Sequence, residues 1–342
     1  MNQPAGARVT MLPFPKGFSR GTVLGFCGGH AVGRVENARA KTAACWWPDG
    51  KPEILALGKQ KDVRVARAAG DLIPGCWSNS RTGALGAVVW RRVGHAVTPA
   101  VLHDTRYEST WAHGAGGGDV VGTGSPPGKL GHRAPDVGLI WRESGTVDVV
   151  ASERDVALYC TDGRRVAGSQ GGRAALWPSA DQEAIDLCPQ GLAMGEVQAL
   201  DGDTQVGVVF QGLCGRAALW RGRGTSFIDL TPAGFETARA LGAAGGWHVG
   251  FVRQKDTTRN GSTACDDRAA LWHGAAEGWI DLNASLPAAY NASVAWAIDA
   301  NGDEHEWRIG GEASRFEVGD PGTPRESHAV PVAHPVIWTL ED

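Results

Sequence analysis

An all-β, seven-bladed propeller is the fold this sequence predicts, and three observations predict it. Seven glycines (Gly33, Gly75, Gly122, Gly168, Gly207, Gly250 and Gly310) alternate strictly with seven tryptophans (Trp46, Trp90, Trp141, Trp177, Trp220, Trp272 and Trp338), so the chain is an array of one repeated unit. Successive tryptophans lie 44, 51, 36, 43, 52 and 66 residues apart, scattered around the period of about 40 to 50 residues of a four-stranded blade. Each unit also reads as four short strands, and no helical period recurs from unit to unit.

The elements follow in order along a unit. Phe235 to Leu241 alternates small apolar with polar residues, as a half-buried strand does, and Gly245-Gly246 permits a tight reversal into Trp247-His248-Val249-Gly250. After a loop, Ala269-Ala270-Leu271-Trp272 forms a third strand. His273-Gly274 then turns towards a fourth, Gly278 to Leu282. The gap between the Gly and Trp members runs from 9 residues in the fourth repeat to 28 in the seventh, so the loop between strands 2 and 3 absorbs the insertions. The last repeat ends soon after Trp338 with no fourth strand, whereas Thr10 to Phe18 lies in register with Phe227 to Phe235, a fourth strand and its exit. The expectation is one domain over residues 1–342, closed by the N-terminal strand pairing with the last blade, which leaves little open sheet edge.

Composition fits that fold and narrows the partners. Forty-nine glycines suit crowded inner strands, and 14 tryptophans suit sheets packed face to face. The net charge is −4, from 33 basic and 37 acidic residues with no basic block, which argues against nucleic acid as a partner. No apolar run is long enough to span a membrane and Met1 to Gly6 has no signal-peptide pattern, so the expected location is cytoplasmic, with no membrane partner. The 7 cysteines show no CxxC spacing and their number is odd, which argues against a zinc site and a disulfide framework; buried free thiols are expected, with no metal and no cofactor.

Three copies are nearly one hexapeptide: Gly172 to Trp177, Gly215 to Trp220 and Asp267 to Trp272. Together with Ser293-Val294-Ala295-Trp296-Ala297-Ile298 and Val120-Val121-Gly122, they make the repeat resemble the HAF repeat family, bacterial propeller-like arrays named for a His-Ala-Phe triplet before Leu-Trp. Here the triplet is Arg-Ala-Ala from Arg173, Arg216 and Arg268, and His334-Pro335-Val336 in the last copy. The resemblance implies a propeller-like fold and supplies no catalytic residue. Its members are often exported, which the N-terminus here does not echo.

Function is sought on the face shared by the strand 4-to-1 and strand 2-to-3 connections, because loops on a rigid scaffold carry binding residues. Ligand-binding candidates there are Trp77, Arg81, Tyr107, Arg253 and Tyr290, suited to stacking and hydrogen bonding with a small molecule or a protein partner. The alternative is a lyase or hydrolase with its site over the channel, for which His103, Tyr107 and His132 are the acid–base candidates. Glu108 and Glu236 begin equivalent strands, and pairing with Arg173, Arg216 and Arg268 is their expected role. Asp299 to Glu304 resembles a calcium loop only superficially, and its Asn301-Gly302 reads as a hairpin tip.

Overall fold

A computed structural model of the chain describes residues 7–38, 41–46, 51–58, 60, 62–79, 81–94, 96–128, 134–254, 267–300, 306–317 and 330–341. The strands fall into seven antiparallel four-stranded sheets, six of them formed from consecutive strands. The seventh blade joins Ala292–Ala300, Glu306–Glu317 and Val330–Glu341 to the N-terminal Arg8–Met11, with Arg8 opposite Thr339 and Met11 opposite Val336. The ring is therefore closed by its own backbone, as the sequence predicts. The Gly245-Gly246 reversal is also as expected, with φ of +56° and +82°, values suited to a type I′ hairpin turn. No helix among the described residues is long and apolar enough to cross a membrane.

A bulge in the innermost strand explains the glycines. The register shifts once, by one residue, in six blades: at Leu24, His113, Tyr159, Gln198, Leu241 and Trp296. In the second blade the ladder ends at Val65, opposite Gly75, and the next position on the partner strand is Pro74, which has no N–H to give. Ala66 instead donates to the Pro74 carbonyl at 2.8 Å. At each of these places the inner-strand carbonyl sits where a Cβ on the second strand would stand. A Cβ on Gly33, Gly75, Gly122, Gly168, Gly207, Gly250 or Gly311 would come within 1.8 to 2.1 Å of that oxygen. In the seventh blade the position that faces this carbonyl is Gly311, opposite Ala295, and not Gly310 as the sequence alignment expects; a Cβ on Gly310 would meet the Val23 side chain instead.

The tryptophans form the wedges between blades. All seven are at most 5% exposed. Four donate their indole N–H to the carbonyl just after the outer strand of the preceding blade: Trp46 to Pro13 at 2.8 Å, Trp90 to Ala56 at 3.4 Å, Trp141 to Leu102 at 3.1 Å and Trp338 to Leu282 at 3.1 Å. A wedge of this kind removes a large apolar area from water while keeping its polar edge bonded; truncating a buried Trp to Ala typically costs about 3–5 kcal/mol.

Arg173, Arg216 and Arg268 do not pair with Glu108 or Glu236, which stand exposed before their strands. They pair within their own blades with a fourth-strand aspartate: Arg173 with Asp186 at 2.7 Å, Arg216 with Asp229 at 2.6 Å, and Arg268 with Asp281. The register places the fourth strand within reach, and each aspartate also accepts a backbone N–H two residues on, from Cys188, Thr231 and Asn283. About a third of each side chain in the Arg216–Asp229 pair meets solvent, so screening holds its contribution to about 1 kcal/mol or less.

Two other expectations are corrected or bounded. The 28-residue gap between Gly310 and Trp338, expected to be a strand 2-to-3 loop insertion, is not all loop, because Ala313 pairs with His334 and Ser314 with Ala333. Asn301-Gly302 lies outside the described residues. Cys27, Cys45, Cys76, Cys160 and Cys188 are buried free thiols, and burial raises the first four to between about 11 and about 12.

Removing residues 1–14 strips the seventh blade of its outer strand and Trp46 of its acceptor. The expected result is loss of the cooperative melting transition or aggregation; an unchanged Tm would contradict the closure. Gly207→Ala, whose Cβ would meet the Glu196 carbonyl oxygen at 1.9 Å, is expected to destabilise the fold by about 2–4 kcal/mol in urea denaturation. A change below about 0.5 kcal/mol would show that the bulge does not demand glycine.

Candidate functional site: the axial channel

The bulges decide what the ring encloses. An extra residue in one strand of an antiparallel pair turns its side chain away from the regular alternation. In this chain six residue types occupy the seven places so defined: Leu24, Ala66, His113, Tyr159, Gln198, Leu241 and Trp296. Leu24, Ala66, His113, Tyr159, Gln198 and Trp296, with Arg67 and Trp111, wall a cavity of about 310 Å³ on the axis.

Two further cavities adjoin it. One of about 380 Å³ lies where the inner strands run out into their turns, among Gly70, Gly117, Thr161, Asp162 and Asp299; it shares Arg67 and Tyr159 with the middle cavity. The other, of about 400 Å³, is walled by Leu213, Thr237, Arg239, Phe251 and Arg253, on the side of the strand 2-to-3 connections, and shares Gln198 and Trp296. The three cavities thus form a series along the axis.

Aromatic rings line the middle. Trp111 and His113 have ring centroids 5.0 Å apart, and His113 meets Tyr159 edge-on at 5.2 Å. His113 Nε2 lies 3.1 Å from the Thr123 hydroxyl. Burial pushes His113 down to about 4, so the ring is neutral at neutral pH. Burial, and then the charge of Glu196, raises Tyr159 to about 12, which keeps its hydroxyl protonated. The indole N–H groups of Trp111 and Trp296 have no acceptor among the described residues. Arg67 reaches across the ring from the second blade to donate to the Gln198 carbonyl in the fifth. Desolvation pushes its guanidinium below the usual arginine value.

The residues singled out from the sequence are placed apart from one another. Arg253 lines the 400 Å³ cavity, where its guanidinium grips both carboxylate oxygens of Asp267 at 2.6 and 2.9 Å. His103 Nδ1 contacts the Thr110 hydroxyl at 2.9 Å, and that hydroxyl accepts the Ala87 N–H, so His103 closes a bridge between the second and third blades. Tyr107 packs beside the third-blade core, with the Arg106 guanidinium 5.8 Å from its ring centroid; Arg106 in turn holds the Asp104 carboxyl below its usual range. Trp77 lies against Gly86. Arg81 sits in an exposed turn fastened by the Asn79 side chain. Tyr290 stacks edge-on with His334 at 5.5 Å. His132 lies outside the described residues. Sequence reading missed Arg67, Trp111, His113, Tyr159, Gln198 and Trp296. The local signal for the bulge residue is its place directly before a Gly, Ala or Cys on the inner strand, as in His113-Gly114, Tyr159-Cys160 and Gln198-Ala199.

No family model matches the sequence, and no curated protein matches it either. Among solved structures, a prolyl endopeptidase is similar over 92% of this chain and 50% of its own, with a TM-score of 0.55 and 12% identity. The GH74 xyloglucanase of Xanthomonas campestris is similar over 94% of this chain and 55% of its own, with a TM-score of 0.52 and 12% identity. The acylaminoacyl peptidase of Pyrococcus horikoshii gives a TM-score of 0.47 at 11% identity, over 84% of this chain and 49% of its own. This chain spans about half the length of each of these proteins. At such identities the likeness is one of fold alone.

The channel histidine has a consequence for stability. His113 and the buried His248 both titrate at about 4 in the fold, against an ordinary 6.5, because burial disfavours the imidazolium. Between those values the unfolded chain binds more protons than the folded one, so stability rises with pH across this window. Their contribution is complete above about pH 6.5 and is lost as pH falls towards 4. Melting curves from pH 7 to 4 are expected to show a falling Tm, with a shallower fall in His113→Gln; equal slopes in the two proteins would contradict the burial of a neutral His113.

Proposed function

We propose that the protein is a binding propeller that holds a small molecule in its axial channel. The observation that carries this reading is the division between a repeated scaffold and an unrepeated channel wall. Glycines, tryptophans and, in three blades, Arg–Asp pairs recur, whereas the bulge positions carry Leu, Ala, His, Tyr, Gln, Leu and Trp in turn. Ring packing alone asks for no such variety. The adjoining cavities, each between about 310 and 400 Å³, fall in the range of small-molecule sites and combine aromatic walls with a few polar groups.

Binding is favoured over a lyase or hydrolase role. His103 is engaged by Thr110 and lines none of the three cavities, and neither does Tyr107. Arg253 and Arg239 at the 400 Å³ cavity place recognition chemistry on the side of the strand 2-to-3 loops, through which a ligand would reach the middle of the ring.

A thermal-shift screen of small organic acids, amines, polyols and neutral aromatics tests this reading. At least one class is expected to raise the wild-type Tm by about 2 °C or more. Ala66→Phe, which fills the middle cavity, is expected to keep its own cooperative transition and lose that shift. No shift with any class, or the same shift in Ala66→Phe, would overturn it.

A further inference from the structure

We propose that the channel site is an anion site, that its ligand is a monocarboxylate with an aromatic body, and that Arg67 is the residue that binds the carboxylate. The proposal rests on the channel-binding reading and specifies its ligand.

Arg67 breaks the repeat. It follows the bulge residue Ala66, and the register gives the matching positions of the other blades to Gly25, Gly114, Cys160, Ala199, Gly242 and Ala297. Small residues are needed there because neighbouring inner strands nearly touch: a Cβ on Gly114 would lie 2.2 Å from the Tyr159 carbonyl oxygen. Arg67 bridges to Gly114 itself, so the absence of a side chain on its neighbour leaves it room to extend into the channel.

The guanidinium is short of partners. It has five N–H donors, and its one hydrogen bond among the described residues goes to the Gln198 carbonyl. It has no ion pair among the described residues, whereas Arg92, Arg142, Arg165 and Arg308 each hold an aspartate. The side chain is half-buried and lines two of the cavities, so its remaining donors face the channel, where fork-like pairing with a carboxylate is the interaction that satisfies them best.

Charge and shape choose the side and the class. The two carboxylates lining the 380 Å³ cavity, Asp162 and Asp299, are engaged by Arg165 at 2.7 Å and Arg308 at 2.9 Å, and they disfavour a second anion on that side. The 310 Å³ cavity on the other side of Arg67 has no acidic lining residue and is walled by Leu24, Trp111, Tyr159 and Trp296. Neutral His113 adds no second positive charge, so a singly charged head on a flat apolar body matches this cavity better than a phosphate does.

Calorimetric titration with benzoate and indole-3-carboxylate, each beside its neutral amide, and with inorganic phosphate tests the proposal. At least one carboxylate is expected to bind the wild-type protein about tenfold or more tightly than its amide, and to lose about tenfold or more in Arg67→Gln. If Arg67→Gln does not fold, Arg67→Lys serves, with a smaller loss expected because the fork is gone. An amide that binds as well as its acid would overturn the anion inference and leave the channel reading standing, as would phosphate binding in preference to both acids. Carboxylate binding unchanged in a folded Arg67 variant would overturn the assignment to Arg67. Failure of every probe to bind would overturn the inference; the channel reading then stands or falls on the thermal-shift screen.

Discussion

One extra residue in the innermost strand of a blade governs much of what this molecule is. Inserted into the first strand, it displaces a carbonyl into the space where the second strand would carry a Cβ, and only glycine can occupy that place. The repeated glycine of the sequence is thus the imprint of a bulge one strand away. The same residue turns its own side chain towards the axis. A backbone device recorded in six of the seven blades therefore presents a varied set of side chains, and the fold can vary its channel without disturbing its sheets.

The outer parts of the blades keep those sheets fixed. Buried tryptophans fill the angles between blades, and several tie the indole to a carbonyl at the exit of the preceding blade. Arg–Asp pairs fasten third strands to very short fourth strands, of two residues each in the fourth, fifth and sixth blades. Those pairs are partly exposed and individually weak; their use is to hold a strand too short to be held by its own ladder. Closure by Arg8–Met11 completes the seventh blade, so that no blade has to stand with three strands.

The scaffold was legible in the sequence because it repeats. The spacing of Gly and Trp announces blade number and strand order, and the match of Thr10 to Phe18 with a fourth strand announces closure. What does not repeat was not legible. A single inserted residue cannot be told from ordinary alternation in one strand, so the bulge and its channel-facing side chain go unseen, and the seventh glycine is read one place early, at Gly310 instead of Gly311. Loop-borne aromatic and basic residues draw attention because length varies around them, yet the structure sets His103, Tyr107 and Tyr290 into contacts with the scaffold. The channel wall is assembled from single residues roughly one repeat apart, and only the closed ring brings Arg67 of the second blade against Gln198 of the fifth.

The proposed binding channel around Arg67 can be located by crystallography. A crystal of the protein soaked with 4-bromobenzoate tests it directly through the anomalous signal of the bromine. The expected result is a peak inside the ring, between Trp111 and Trp296, with the carboxylate in hydrogen-bond contact with the Arg67 guanidinium. A peak on the outer loops, or on the turn side beside Asp162 and Asp299, would contradict it.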